Sequence, residues 1–175
     1  MRILHVASEI YPLVKTGGLA DVVAALPPAL HKRGLDVRLL LPGFPGILDG
    51  MRELKPLIRL GPVFSAAVVT IHLGYMPDSG LPAYVIEAPF LFRREGNPYV
   101  GPDGSDWVDN HRRFALLGWA AAHLAAGELD AGWQPDVVHA HDWHAGLAPV
   151  YMAQNPALKA KSVFTVHNLA FRGIF

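Results

Sequence analysis

Residues 2–43 read RILHVASEIYPLVKTGGLADVVAALPPALHKRGLDVRLLLPG. The run RILHVA has the length and composition of a strand. After a turn-bearing stretch come Leu19, Val22, Val23, Leu26 and Leu30, spaced to share one face of a helix. Gly34 is the expected helix stop, and DVRLLLPG is a second strand, apolar enough to be covered on both faces as parallel strands are. Pro27 cannot donate to the carbonyl four residues back, so a kink, or a restart at Pro28, is expected. Strand, loop, helix and strand make a βαβ unit.

The same alternation continues outward. The pattern weakens between Phe44 and Leu60, and then FSAAVVTIHLGYM and LPAYVIEAP, joined by the turn-rich PDSG, predict a hairpin or a short excursion. RREGNPYVGPDGSDWVDN, residues 93–110, is a polar loop of a length usually reserved for function or disorder. Phe114, Leu117, Ala121 and Leu124 mark a helical stripe, PDVVHAH a buried strand, Leu147, Val150 and Tyr151 another helix, and KSVFTVH the last strand. The expected fold is a doubly wound, mostly parallel sheet of the α/β class.

Composition narrows the function. A chain of 175 residues can bury a real core. Fifteen basic side chains balance fifteen acidic ones, so no net field draws it to nucleic acid or an anionic membrane, and any anion must be bound locally. The absence of cysteine excludes disulfides and thiolate metal sites and fits a reducing, cytoplasmic setting. Glu9 arrives too early for a signal-peptide apolar region, and the apolar stretch Phe114–Gly127 is too short to span a bilayer.

Ligands of such sheets bind beyond the carboxyl ends of the strands, where four polar clusters fall: SEIYPLVKTGG, GNPYVGPDGSDWVDN, HAHDWH and HNLAFRG. Gly17 and Gly18 permit unusual dihedrals and leave no Cβ before a ligand, the amides of the following helix favour an anion, and Lys15 adds a positive charge. KTGG has the spacing of neither the dinucleotide fingerprint nor the P-loop, so a plain helix entry with a solvated lysine is the alternative. Asp21 lies in the first helical turn, where the helix dipole alone accounts for it. Glu9 reads as a solvated loop residue or a rim group. HAHDWH offers His139, His141, Asp142 and His144, which invites a metallohydrolase reading, but Asp142 follows His141 directly and the familiar His-x-His-x-Asp-His register is not met. His139 and His141 instead read as buried, hydrogen-bonded groups on one side of a strand, and Asp142 as the N-cap of the next helix. His167 and Asn168 end a strand where a neutral imidazole and a carboxamide suit a sugar hydroxyl or developing charge. Of the aromatics Tyr11, Tyr99, Trp107 and Trp143, Trp107 in the polar loop is the better sugar platform.

Three stretches, LHVASEIYPLVKTGGLADVVAALPPAL, DVVHAHDWHAGLAPVYM and KSVFTVHNLAFRGIF, closely resemble the bacterial glycogen synthases and plant starch synthases, retaining enzymes that add glucose from ADP-glucose to the non-reducing end of an α-1,4-glucan. The resemblance implies a GT-B-type glycosyltransferase of two facing Rossmann-like domains. Residues 1–175 are then an incomplete N-terminal domain, with the C-terminal nucleotide-binding domain outside the chain. Lys15, Gly17 and Gly18 match the family's sugar-nucleotide signature KTGGLADV. Asp21, Asp142, His167 and Asn168 match positions lining its cleft, with His167 near the transferred glucose as the implied catalytic residue. Where Trp107 falls, some members carry tyrosine. The implied partners are ADP-glucose and an α-glucan acceptor, with no nucleic acid, membrane, cofactor or metal. The implied mechanism is front-face attack assisted by the departing phosphate, whose charge Lys15 offsets. A catalytically inert glucan- or sugar-nucleotide-binding fragment is the alternative expectation for residues 1–175 alone.

Overall fold

The computed structural model describes residues 1–171 and 173. β1 (Arg2–Val6), α1 (Gly18–His31) and β2 (Asp36–Pro42) form the βαβ unit, with β1 and β2 parallel from Arg2↔Asp36 to Val6↔Leu40. α1 buries Leu19, Val23 and Pro27, a stripe spaced by four, and leaves Val22 exposed. It runs through Pro27 and Pro28 as one helix, so of the kink or restart expected there the restart does not occur, and the prolines withhold helical donors from the carbonyls of Val23 and Ala24. Gly34 lies just beyond its end with φ +86, the left-handed region that glycine enters without a Cβ penalty.

Phe44 to Leu60, too weakly patterned to assign from sequence, holds α2 (Pro45–Gly50) and β3 (Arg52–Leu60). β3 pairs antiparallel with β4 (Val69–Tyr75), and β4 pairs antiparallel with β5 (Pro82–Glu87), which is the expected hairpin. β3 is an exposed edge strand with two register shifts against β4, so it lacks the alternation that betrays a half-buried strand. α3 (Pro89–Phe92) leads to the long loop, and α4 (Asn110–Ala125) buries not only Phe114, Leu117, Ala121 and Leu124 but also Ala115, Leu116, Ala120 and Ala122. Next come β6 (Val137–His141), α5 (Asp142–Ala145), α6 (Leu147–Ala153) and β7 (Lys161–Thr165). α6 buries Ala148 and Met152, while Leu147 and Val150 of the expected stripe are exposed.

The sheet order is β3-β4-β5-β2-β1-β6-β7, and the five strands from β5 to β7 are mutually parallel. From β1 the chain winds one way to β2 and β5, then crosses back to β6 and β7. Right-handed crossovers therefore put α1 on one face and α4 with α6 on the other, and α4 does pack on α6. Leu4, Val6, Leu40, Leu41, Val85, Ile86, Val138 and Ala140 are fully buried between the layers. The strand order reverses between β1 and β6, which opens a crevice at their carboxyl ends. Among the described residues β7 is the other edge, with Val163 and Phe164 both over two-fifths exposed.

Candidate active site at the sheet crevice

Three chain segments leave the carboxyl ends of β1, β6 and β7. After β1 the chain folds back through a bridge between Ile10 and Val14, and Glu9 turns inward to become almost completely buried. Its Oε2 accepts the Thr16 N–H at 2.5 Å and the Gly17 N–H at 3.4 Å, and its Oε1 accepts the Thr16 hydroxyl at 2.7 Å. Tyr99 donates its hydroxyl to the same carboxylate and lies 2.8 Å from Ser8 Oγ. Burial, then the Glu9 charge, pushes the Tyr99 phenol up, which keeps it a donor. Glu9 is thus neither solvated nor a rim group: it fixes the backbone of KTGG from beneath.

Held this way, Gly17 sits at the N-terminus of α1 with φ −149 and ψ −164, and no side chain caps the helix. Neither Gly17 nor Gly18 enters the left-handed region, and a Cβ on either would meet nothing within 4 Å. The unusual dihedrals expected of this pair are absent, and their effect is to leave the first-turn amides uncovered. Lys15 Nζ bonds both Asp21 oxygens at 2.8 Å, with both side chains about half exposed, so lysine and aspartate form one unit at the mouth of the helix. Such a solvated pair adds little stability. Beside it a cleft of about 350 Å³ is lined by Lys15, Thr16, Phe44, Arg94, Asn97 and Arg113.

On β6 the rings of His139 and His141 stack at 4.2 Å on one side of the strand, as expected. His141 Nε2 lies 3.0 Å from His5 Nδ1 on β1, and His141 Nδ1 lies 2.9 Å from His167 Nε2 beyond β7. His139 Nε2 meets Thr165 Oγ1 at 2.7 Å. His5, His139 and His141 approach closely enough to suggest a metal centre. Ring lone pairs lie in the ring planes, however, and the planes of His139 and His141 are stacked at 21°, so their nitrogens do not converge on one ion. Burial, then neighbouring imidazolium charge, holds His5 down to about 3 and His141 down to about 2, and the same causes lower His139, so this cluster is neutral.

Asp142 is not the N-cap expected. That position is His141, and Asp142 takes φ +56, a left-handed conformation that Asp tolerates better than most residues. The twist aims its buried carboxylate at the next loop, where Oδ1 accepts the His167 N–H at 2.7 Å. Asn168 is exposed, and its Oδ1 accepts the Ala170 N–H at 2.9 Å, which leaves the amide NH₂ outward.

Tyr99 links the two halves of the crevice. Its hydroxyl reaches Glu9 while its ring stacks on His144 at 4.4 Å, and His144 in turn lies 4.0 Å from Trp143. The loop carrying Tyr99 is fastened at its ends: Arg94 grips Asp109 through bonds of 2.7 and 2.6 Å, and buried Arg113 donates to the carbonyls of Leu91 and Pro98. Trp107 is not an open platform, because the Arg94 guanidinium covers its ring at 4.9 Å. The structure therefore joins Lys15 to Asp21 and Asp142 to His167, while Tyr99 bridges Glu9, beneath KTGG, to His144, two residues beyond Asp142. Sequence reasoning missed His5 and named Glu9 and Tyr99 without their linking role, and the signal available was a carboxylate and an imidazole flanking a strand end at the ligand edge.

Glu9→Ala strands the Thr16 and Gly17 amides and the Thr16 hydroxyl together, and leaves the Tyr99 hydroxyl to Ser8. Urea unfolding is expected to show a loss of about 2 to 4 kcal/mol, the range for breaking a buried network. A loss below ~0.5 kcal/mol would mean that water replaces the carboxylate.

A family model described as the starch synthase catalytic domain matches residues 2–175. Glycogen synthases from Francisella philomiragia and Francisella tularensis subsp. novicida are each 50% identical over 179 residues, covering 100% of this chain and 37% and 36% of the respective relative. The chain thus spans little more than a third of the length of the curated relatives it matches. The catalytic domain of starch synthase IV from Arabidopsis thaliana, solved with ADP and acarbose bound, aligns with a TM-score of 0.76 at 31% identity, over 97% of this chain and 34% of that one.

Proposed function

This chain belongs to the starch synthase catalytic-domain family, and from that premise we propose that it forms the N-terminal, Rossmann-like half of a two-domain retaining glucosyltransferase that moves glucose from ADP-glucose to an α-1,4-glucan. The observation that carries this reading is the uncovered N-terminus of α1, held by Glu9 and flanked by Lys15, on the same crevice as Asp142 and His167. Transfer with retention requires the leaving phosphate to be neutralised and the acceptor hydroxyl to arrive on the face it vacates. The first-turn amides of α1, from Gly18 onward, and the Lys15 ammonium receive the phosphate charge. Lys15 exchanges Asp21 for phosphate as it does so, and Asp21 keeps the ammonium placed between turnovers. Asp142, Asn168 and the His167 ring hydrogen-bond the sugar, with His167 nearest the reacting carbon. A second carboxylate at covalent-intermediate distance is not needed when the phosphate itself assists front-face attack.

No helix among the described residues is long and apolar enough to cross a membrane, and we assign the protein to the cytoplasm on its lack of cysteine. The test is ADP release by the intact protein, which is expected to require both ADP-glucose and glycogen. Release without glycogen, or none at all, overturns the reading. Residues 1–175 by themselves are expected to release none, because half a cleft does not hold donor and acceptor in register.

Lys15→Ala in the intact protein is expected to lower kcat/KM for ADP-glucose by about tenfold, the modest end for a charged contact because Asp21 already offsets the ammonium. Lys15→Arg recovers only part, since its planar head does not fit the same point contact. Unchanged kinetics in the alanine variant returns Lys15 to a solvated surface pair.

A further inference from the structure

Three imidazoles form one unbroken hydrogen-bonded line across the crevice. His5 Nδ1 meets His141 Nε2 at 3.0 Å, and His141 Nδ1 meets His167 Nε2 at 2.9 Å. The ring planes of His5 and His141 lie within 21° of each other and those of His141 and His167 within 16°, edge to edge as in-plane hydrogen bonds require. His5 and His141 are completely buried, whereas His167 is half-buried. The line is built by register: β1 and β6 set His5 opposite His139, and β6 and β7 set His141 opposite Thr165, two residues before His167.

A neutral imidazole carries one ring proton, and each of the two contacts needs one proton between its nitrogens. Every contact here pairs a Nδ1 with a Nε2. The three rings must therefore share one tautomer, because any mixed arrangement leaves two lone pairs or two N–H groups facing each other. The free end fixes the direction. His5 Nε2 is buried, and no protein group among the described residues partners it. A buried N–H without an acceptor is the rarer defect, so the protons sit on Nδ1 throughout, and His167 is left with an Nδ1–H that no group among the described residues uses.

We infer that His5 and His141 are positioning residues, which through these two imidazole–imidazole hydrogen bonds hold His167 in one ring orientation and one tautomer, with its Nδ1–H presented to the crevice. The inference rests on the role proposed for His167, but its first test is independent of that role. Acting through His167, the line makes a donor of a residue that in isolation would populate both tautomers and turn about χ2. A donor is the form suited to a sugar hydroxyl oxygen or to oxygen gaining negative charge.

Long-range proton–nitrogen NMR of the intact protein with ¹⁵N-labelled histidine reads the tautomers directly. The expected result at pH 7.5 is Nδ1–H for His5, His141 and His167 alike. Different tautomers among the three overturn the inference. His5→Phe removes the first contact and is expected to leave His167 as a tautomer mixture, with kcat about fivefold to tenfold lower and KM for ADP-glucose unchanged, the pattern for an interaction made in the transition state. His5→Asn, whose amide replaces Nδ1 as a donor, is expected to restore most of kcat. If His5→Phe does not fold, the wild-type tautomers and His5→Asn still decide. A His5→Phe protein with full kcat and an unaltered His167 tautomer sinks the positioning role. If instead His167→Ala itself keeps full turnover while the tautomers are as expected, it is the role assigned to His167 that fails.

Discussion

His167→Ala in the intact protein lowers turnover of ADP-glucose by about a hundredfold or more, the size expected when a polar group aimed at developing charge is lost. The same change leaves His141 Nδ1 without its partner at 2.9 Å, so stability falls as well, by about 1 kcal/mol. The two effects separate in one preparation, because kinetics measured well below the melting temperature see only folded enzyme. The backbone N–H of residue 167 still reaches Asp142 in the variant, which keeps the loop in place. A destabilised protein with wild-type turnover would show that the ring is a core histidine and nothing more.

Lowering the pH is expected to destabilise the protein from about pH 6 downward, above the range where ordinary carboxylates protonate. Burial holds His144 down to about 3, as it does His5, with His141 lower still at about 2. The ordinary value, which the unfolded chain recovers, is about 6.5. Below that pH the unfolded chain takes up protons that the folded protein refuses, so the stabilisation is complete above pH ~6.5 and drains away towards the folded values. Each such group contributes a loss of up to about 1.4 kcal/mol per pH unit in that window. His5 and His141 repel each other's charge, so their combined loss is not simply double. Asp109, whose carboxylate Arg94 holds below the usual range, adds loss only at lower pH. Urea unfolding should give a flat free energy from pH 7 to 8, a steep fall below 6 and no stable fold by about pH 4. His144→Phe, keeping an aromatic ring between Tyr99 and Trp143, should make the fall shallower. Equal stability at pH 7.5 and pH 5 would show that these histidines take up protons while folded.

The βαβ start, the hairpin and the parallel strands were legible because each has a local signature: a period of two or of nearly four, a glycine stop, a turn sequence. β3 was not, since an exposed edge strand with register shifts has no apolar face to alternate. At the site, HAHDWH and HNLAFRG declared themselves by falling after strands. Glu9 did not, because what distinguishes it is a set of partners seven and ninety residues away, and sequence spacing carries no trace of them. His5 reads in sequence as one more strand residue, and only strand order brings it beside His141. Asp142 was assigned to the wrong duty for a related reason. The helix-start rule assumes ordinary backbone, and its φ of +56 turns the carboxylate away from the helix it precedes.

The two borders of the sheet are not equally guarded. β3 carries Arg52, Glu53, Lys55 and Arg59, with Pro56 withholding a donor in mid-strand, the features that keep a free edge from recruiting a foreign strand. β7 has one lysine at its start, and then Val163, Phe164 and, just past its end, Val166, each partly open to solvent. Wherever that border stands uncovered, it is a template for adventitious pairing, short, β-branched and almost uncharged. Residues 1–175 by themselves are therefore expected to associate through that border at high concentration, and Val163→Lys is expected to reduce the association seen by light scattering.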